Sequence, residues 1–226
     1  MRELLLIGAS GLAREVLSVL RGNDDPHVVY VVDDQAELAG TALDGVLIVG
    51  GLSQVAYHPT ADLLVCVGSG AARADLVARL ADLGVTPDRY TTLIHPAVGV
   101  PDSCRVGAGS ILLSGVVLTT DVQLGEHVVV MPNVTLTHGN RVGSFATLCA
   151  GVAVGGDVHV GRGAYIGMNA SIREGTLIGA AAVIGMGAAV LVDVAPHETW
   201  VGVPAQRMPA AAQLSRAGAD FRGRRG

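Results

Sequence analysis

Residues 93–194, cut into blocks of six, read LIHPAV GVPDSC RVGAGS ILLSGV VLTTDV QLGEHV VVMPNV TLTHGN RVGSFA TLCAGV AVGGDV HVGRGA YIGMNA SIREGT LIGAAA VIGMGA AVLVDV. The second residue of all seventeen blocks is aliphatic, from Ile94 to Val190. A six-residue period fits neither the period of an α-helix, about 3.6 residues, nor the alternation of a strand. It is typical of a β-helix built from hexapeptide repeats.

Each hexad predicts one short strand and one corner, and three hexads form one triangular coil. Residues three hexads apart then stack at about 4.8 Å, the spacing between neighbouring strands. The aliphatic second position points into the prism. The third position is often Gly, which suits a corner that needs a small residue or a positive φ, and the fourth position faces outward. Because each coil pairs only with its neighbours, both ends of the prism need caps.

The chain before the repeat alternates apolar runs with helical spacing. Strands are predicted at residues 4–7, 28–32, 46–49 and 63–67, and helices at 12–20 and 71–83, with Ser10 as an N-cap and Gly84 as a C-cap. This alternation predicts a Rossmann-like α/β nucleotide-binding domain over residues 1–92. The β-helix domain would follow over residues 93–208, and a flexible tail over residues 209–226.

Composition narrows the possible partners. The 226 residues carry a formal net charge of −5, which argues against nucleic acid as the main partner. The three cysteines are scattered, as expected of reduced thiols in a cytoplasmic protein. No apolar run is long enough to predict a membrane span, and the N-terminal run is too short for a signal peptide.

Three features of the α/β part are predicted to meet at one sheet edge. The loop from Gly8 to Gly11 joins a strand to a helix, Asp33 and Asp34 end the next strand, and Gly68 follows another. Ligands of open α/β sheets bind at the carboxyl ends of the strands, where glycines admit a phosphate and acids accept ribose or base donors. The alternative is a set of ordinary tight turns.

His138 occupies the fourth position of its hexad and should therefore face outward. Histidine titrates near neutral pH, which suits a general base, although a solvated corner histidine gives the same pattern. Asp121 and Asp157 lie one coil below and one coil above the residue next to His138. We expect one of these carboxylates to orient the ring.

A zinc site of the type found in gamma-class carbonic anhydrases is a further alternative for a β-helix. Such a site needs histidines that are close on one corner or across an interface. His127, His138 and His159 lie at three different hexad positions. We therefore predict no metal site.

The chain resembles the bacterial nucleotide-sugar acetyltransferases along nearly its whole length. This family includes the UDP-4-amino-sugar N-acetyltransferases, their perosamine and viosamine relatives and the sialic acid O-acetyltransferase branch. The matching elements are the opening I-G-A-S-G, Asp33-Asp34, Gly68-x4-Arg73, Leu93-Ile94-His95-Pro96, His138 with Val142-Gly143, Ile166-Gly167-x-Asn169 and Val201-Gly202-Val203-Pro204-Ala205.

The resemblance implies a left-handed β-helix that assembles as a homotrimer with parallel axes, and an activity. Acetyl-CoA would lie in the groove between adjacent subunits, and His138 would be the general base for N-acetylation of a nucleotide-linked amino sugar, most simply a 4-amino-4,6-dideoxy sugar. The implied substrate-binding residues are Ser10, Gly11, Leu12, Asp33, Asp34 and Gly68, and the implied acetyl-CoA-binding residues are Thr147, Gly156, Met168 and Met186.

Three positions depart from the pattern of the family. Leu12 replaces a histidine of the first loop, Gly139 replaces the acid after the catalytic histidine, and Thr147 replaces a second histidine. Two alternatives therefore stay open, a sugar O-acetyltransferase of the sialic acid type and a trimeric binding module without activity. N-acetylation is favoured because a neutral amine is already nucleophilic and needs less help from a base.

Overall fold

The computed structural model describes residues 2–22 and 27–209, so the predicted tail lies outside the described residues except for Pro209. The first part of the chain is an α/β sheet of five strands in the order β3-β4-β2-β1-β5. Its strands are β1 (Glu3–Ile7), β2 (Val28–Val32), β3 (Ala42–Leu43), β4 (Val46–Gly50) and β5 (Asp62–Val65). Its helices are α1 (Gly11–Gly22) and α2 (Gly70–Asp82), with 3₁₀ helices at Ala36–Leu38, Leu52–Tyr57 and Pro87–Arg89.

The central strands of this sheet run parallel, so their carboxyl ends share one edge. Ile7 at the end of β1 pairs with Val32 of β2 and with Val65 of β5. Strand β4 also pairs in parallel with β2, while β3 and β4 form an antiparallel hairpin at the edge of the sheet. The loops after β1, β2 and β5 therefore meet, as the sequence predicts.

The second part of the chain is a parallel β-helix in which strands begin every six residues from 105 to 189. Three sheets form its faces. Face 1 contains β6 (Leu93–Ile94), β8 (Ile111–Leu112), β11 (Val129–Val130), β14 (Thr147–Leu148), β17 (Tyr165–Ile166), β20 (Val183–Ile184), β22 (Thr199–Val201) and β23 (Gln206–Arg207). Face 2 contains β9 (Val117–Leu118), β12 (Thr135–Leu136), β15 (Ala153–Val154), β18 (Ser171–Ile172) and β21 (Ala189–Val190). Face 3 contains β7 (Arg105–Val106), β10 (Gln123–Leu124), β13 (Arg141–Val142), β16 (His159–Val160) and β19 (Leu177–Ile178).

The second residue of each hexad fills the prism. From Leu112 to Val190 these aliphatic side chains are between 0% and 4% exposed, in one continuous apolar cluster. Burial of this row is the main stabilising contribution, at about 25 cal/mol per Å² of apolar surface. One hexad is an exception: residues 99–104 form a turn, and Val100 is 37% exposed. Pro101 in this hexad has no N–H with which to join the ladder.

The sequence pattern placed two requirements, a small residue and a positive φ, at the third hexad position, and the structure assigns them to two different positions. A β-carbon on Gly143, at the third position, would lie 2.6 Å from the backbone nitrogen of Arg162 in the next coil. The third position therefore needs a small residue because backbone packs against it. The positive φ falls instead at the fifth position, as at Gly139 with φ 70° and Asp157 with φ 55°.

The two parts of the chain share an apolar cluster. The inward face of α1, including Leu12, Val16 and Leu17, packs with Ile111 and Val129 on the outside of face 1. The outward-facing side chains of β8 and β11 are therefore apolar and are covered by the α/β part. This contact fixes the sheet edge of the α/β part relative to the β-helix.

Candidate functional site

The loops at the carboxyl edge of the α/β sheet are tied to one another by hydrogen bonds. The Ala9 N–H donates to Asp33 Oδ2 at 2.7 Å, and the Gln35 N–H donates to Asp33 Oδ1 at 2.9 Å. The Ser10 hydroxyl donates to the Cys66 carbonyl at 2.5 Å. The glycine loop is thereby held against the ends of β2 and β5, so the three features meet at one sheet edge, which is called the crevice below.

The first turn of α1 contains the predicted residues Ser10, Gly11 and Leu12. Ser10 Oγ accepts the Leu12 N–H at 3.1 Å, which makes Ser10 the N-cap, and Gly11 is exposed with open space around its Cα. Leu12 is only 7% exposed and belongs to the cluster between α1 and the β-helix. The Leu12 side chain is therefore a core residue, because it lies on the apolar face of an amphipathic helix, and the predicted substrate contact of Leu12 stays a prediction.

Asp34 is bound to protein donors. Its carboxylate accepts the Leu52 N–H at 2.9 Å and the Arg79 guanidinium at 2.6 Å. The Leu52 hydrogen bond, together with Arg79, lowers the pKa of Asp34 below its ordinary value. Asp34 and Arg79 line a cavity of about 340 Å³ beside the crevice. A carboxylate has about four acceptor positions, so Asp34 keeps capacity for a ligand in addition to these bonds.

Gly68 and Thr147, which the sequence assigned to different ligands, bind each other. The Thr147 hydroxyl donates to the Gly68 carbonyl at 2.9 Å and accepts from Arg73 at 3.0 Å, and Thr147 is 3% exposed. The structure therefore contradicts a direct contact of Thr147 with acetyl-CoA in this arrangement, because the α/β part covers this position of face 1. Gly68 itself is exposed, and no atom lies within 4 Å of where its β-carbon would be.

Arg73 is fully buried between α2 and the β-helix, and the sequence indicated no role for it beyond its place in a motif. Its guanidinium donates to the carbonyls of residues 67, 68, 127, 145 and 146 and to the Thr147 hydroxyl, at 2.8–3.0 Å. Burial lowers the pKa of Arg73 to about 10, so the group stays charged at neutral pH. Arg73 thus holds the Gly68 turn onto the β-helix.

His138 lies at the corner between β12 and β13, where faces 2 and 3 meet, and its side chain is 63% exposed. Its ring lies over Gly156, since a β-carbon there would be 2.3 Å from the ring atoms Cε1 and Nε2. The Nδ1 atom of His138 is 3.6 Å from Asp157 Oδ2. Of the two carboxylates considered from the sequence, the structure places Asp157 against the histidine.

Met168 and Met186 stack at a different corner, where faces 1 and 2 meet, and they are 49% and 70% exposed. His138 and Gly156 are on the corner between faces 2 and 3. A single chain therefore brings Gly156 to His138 but does not bring the two methionines to either of them.

A groove along face 3 was not found from the sequence. It has a volume of about 590 Å³, and its lining contains Arg105, Arg141, Arg162 and His159 and no carboxylate. The signal was present, because Arg105, Arg141 and His159 all occupy the first hexad position on one face. The groove adjoins the His138 corner, since β13 begins at Arg141.

Within residues 2–22 and 27–209, no group of three or more His, Cys, Asp or Glu side chains is arranged to hold a metal ion. In the same ranges, no helix has both the length and the apolar character needed to cross a bilayer.

Solved structures with the same architecture are sugar acetyltransferases. A variant of perosamine N-acetyltransferase from Caulobacter crescentus, in complex with CoA and GDP-perosamine, superimposes with a TM-score of 0.84 and 28% identity over 92% of this chain and 98% of that chain. The acetyltransferase domain of PglB from Neisseria gonorrhoeae FA1090, in complex with acetyl coenzyme A, gives 0.84 and 25% over 92% and 99%. The structural neighbours of this chain are bacterial sugar N-acetyltransferases. The parallel sheets and few helices fit their left-handed β-helix fold.

Other comparisons add less. WeeI from Acinetobacter baumannii AYE shares the fold, with a TM-score of 0.68 and 24% identity over 92% of this chain and 100% of that chain. No model of a protein family matches the sequence, and no curated protein matches it.

Proposed function

We propose that the protein transfers the acetyl group of acetyl-CoA to the amino group of a nucleotide-linked amino sugar, with His138 as the general base. The observation that carries this proposal is the constellation at one corner of the β-helix, where an exposed His138 ring lies on Gly156 with the Asp157 carboxylate beside Nδ1. It is supported by a fold shared over nearly the whole chain with N-acetyltransferases.

The reaction needs one base and one oxyanion donor. The sugar amine attacks the thioester carbonyl directly, and His138 Nε2 takes the proton that the nitrogen loses as the tetrahedral intermediate forms. The Gly156 N–H, at the corner below the ring, stabilises the oxyanion. The proton then passes from His138 to the departing CoA thiolate. Cys149 is not needed as an acyl carrier, because it is buried and burial raises the pKa of its thiol.

The α/β domain, residues 1–92, would hold the nucleotide in the manner of a Rossmann-like domain. Its exposed glycines, Gly11 and Gly68, leave room for the backbone to approach a diphosphate, and the capped start of α1 favours negative charge. Asp33 and Asp34 shape the same edge and retain acceptor positions for ribose or base groups.

The site is complete only when two copies meet. The crevice lies on the α/β part, which covers face 1, whereas His138 lies on the edge between faces 2 and 3, on the opposite side of the prism. A sugar bound in the crevice of one chain cannot reach the His138 of that chain. A homotrimer with parallel axes would bring the crevice, Met168 and Met186 of one copy to the His138 corner of the next.

The groove on face 3 suits the other end of acetyl-CoA. Its three arginines offer positive charge next to the His138 corner, and the phosphates of CoA carry the complementary charge. The cytoplasm is the compartment in which we expect the protein, since it supplies acetyl-CoA and keeps Cys66, Cys104 and Cys149 reduced, as they are here.

The direct test is the release of free thiol from acetyl-CoA in the presence of nucleotide sugars with a 4-amino, a 3-amino or only hydroxyl acceptors. We expect thiol release with an amino sugar and a product heavier by one acetyl group. Release with hydroxyl acceptors alone would assign the chain to O-acetylation. Failure of acetyl-CoA and of every nucleotide to bind would contradict the enzyme proposal altogether.

A further inference from the structure

The residue after His138 is glycine, so no carboxylate on the same coil can support the imidazole. In a catalytic imidazole, a carboxylate at one ring nitrogen fixes the tautomer and stabilises the cation that forms at the other nitrogen. Asp157, from the next coil, lies on this side of the ring, with Oδ2 at 3.6 Å from Nδ1. We propose that Asp157 is the positioning residue for His138, and this inference rests on the proposed role of His138 as base.

Two glycines make this arrangement possible. A β-carbon on Gly139 would lie 2.1 Å from Asp157 Oδ1, so the carboxylate occupies space that any other residue would fill. A β-carbon on Gly156 would likewise collide with the His138 ring. The Asp157 N–H also donates to the His138 carbonyl at 2.8 Å, which fixes the two coils relative to each other. Each polar side chain therefore lies over a glycine of the neighbouring coil.

The direction of the fifth hexad position explains why Asp157 is chosen over Asp121. Side chains at this position reach back over the preceding coil, as Asn133 does over Gly115 and Asn169 does over Gly151. By the same rule the side chain of Asp121 reaches back over the coil that contains Ser103, away from His138. The Ser103 hydroxyl accepts the Asp121 N–H at 3.0 Å. Asp157 is the acid that reaches back to His138.

The chemical consequence concerns one proton. With Asp157 facing Nδ1, the tautomer that carries hydrogen on Nδ1 is favoured, and the lone pair is left on Nε2, where the sugar amine must lose its proton. Both side chains are exposed in the free chain, at 63% and 72%. Water therefore screens the pair until substrate and a second copy exclude it, and the coupling is strongest in the assembled site.

The test uses Asp157→Asn in the full chain, with Asp121→Asn as the matched control. Asparagine should fold at either position, because Asn133 and Asn169 already occupy the fifth position with φ 61° and 56°. Diethyl pyrocarbonate modifies the lone pair of a neutral imidazole, and its rate at each histidine can be followed by peptide mass spectrometry at pH 8. His159 is exposed and serves as an internal standard.

We expect Asp157→Asn to slow the modification of His138 several-fold relative to His159, while Asp121→Asn leaves this ratio unchanged. An unchanged ratio in Asp157→Asn would overturn the proposal. Because this readout needs no acetyl transfer, it stands even if no acceptor sugar is turned over, so the two proposals fail separately.

Kinetics with the acceptor sugar supply the second readout. Asp157→Asn should lower kcat roughly tenfold, a part of the ~10²–10⁴-fold that a general base contributes, with KM for acetyl-CoA unchanged. A folded Asp157→Asn protein with the kcat of the wild type would contradict the positioning role.

Discussion

At the scale of single residues, two histidines at different hexad positions of the β-helix differ in their exposure to solvent. His127, at the fifth position, is 4% exposed and stacks on Phe145 with ring centroids 5.0 Å apart. Burial, with the nearby charges of Arg73 and Arg162, lowers the pKa of His127 to about 4. His138, at the fourth position, is exposed beside a carboxylate. One histidine is therefore a neutral part of the core, and the other is available to a substrate.

The buried His127 predicts a pH dependence of stability. Because its folded pKa is about 4, below the ordinary value near 6.5, the unfolded chain binds the proton first as the pH falls. This contribution to the free energy of unfolding is complete above about pH 6.5 and is lost as the pH falls towards 4. Urea unfolding at pH 7 and pH 5 should show a smaller loss in His127→Asn, whose side chain tolerates the positive φ of 53°. Equal losses in both proteins would contradict this assignment.

Hexad position could predict the environment of a site residue only where its neighbours belong to the same repeat. The outward direction of His138 follows from hexad position, and its side chain is exposed in the structure. Hexad position left Asp121 and Asp157 open as its neighbour, and the structure places Asp157 Oδ2 3.6 Å from the ring. The burial of Leu12 and Thr147 could not be predicted, because each is covered by the other part of the chain. That contact depends on how α1 and the Gly68 turn dock on face 1, which no local pattern describes.

At the scale of elements, the α/β part is joined to the β-helix by Arg73. Its removal would leave buried carbonyls of the Gly68 turn and of the β-helix without a donor. We expect Arg73→Ala to lower the free energy of unfolding by about 3 kcal/mol or more, since each unsatisfied buried group costs about 1–3 kcal/mol. Arg79→Ala is the control on the same helix. It removes a half-exposed ion pair, which water screens, and should cost far less than Arg73→Ala. Similar losses from the two variants in urea unfolding would refute this role of Arg73.

Substitutions at two glycines near the start of α2 should affect different properties, stability at Gly70 and substrate binding at Gly68. A β-carbon on Gly70 would lie 2.1 Å from the Phe145 carbonyl oxygen, whereas one on Gly68 would meet no atom within 4 Å. Gly70→Ala should therefore lower the melting temperature, with an overpacking cost of about 1–3 kcal/mol. Gly68→Ala should melt as the wild type does and raise KM for the nucleotide sugar, because its methyl group projects into the crevice. A normal KM in Gly68→Ala would remove Gly68 from the proposed substrate site.

The elements themselves were largely predictable. The six-residue period matches the spacing of the observed strands, and the helices predicted at 12–20 and 71–83 correspond to α1 and α2. The hairpin strand β3 and the three 3₁₀ helices were not predicted. These short segments have too few residues to show a period, and their conformation is set by packing on the sheet.

At the scale of the whole molecule, the crevice and His138 lie on opposite sides of the prism, so the proposed site needs two copies of the chain. This arrangement predicts complementation between two inactive variants, His138→Ala and Gly68→Leu, co-expressed with different tags and purified through both. In a closed ring of three that carries both tags, about a third of the sites would combine an intact crevice with an intact His138. Activity near that fraction of wild type is expected, and activity no higher than that of the two parents would refute a shared site.

Acetyl transfer at the His138 corner is the central claim, and kcat of His138→Ala tests it most directly. The assay uses acetyl-CoA and the best amino-sugar acceptor. The control for handling and folding is His197→Asn, at an exposed histidine with φ 63° that does not line the face 3 groove. We expect a loss of ~10²–10⁴-fold in kcat for His138→Ala, the usual contribution of a general base, and a far smaller change for His197→Asn. Full activity in a folded His138→Ala protein would contradict the central claim.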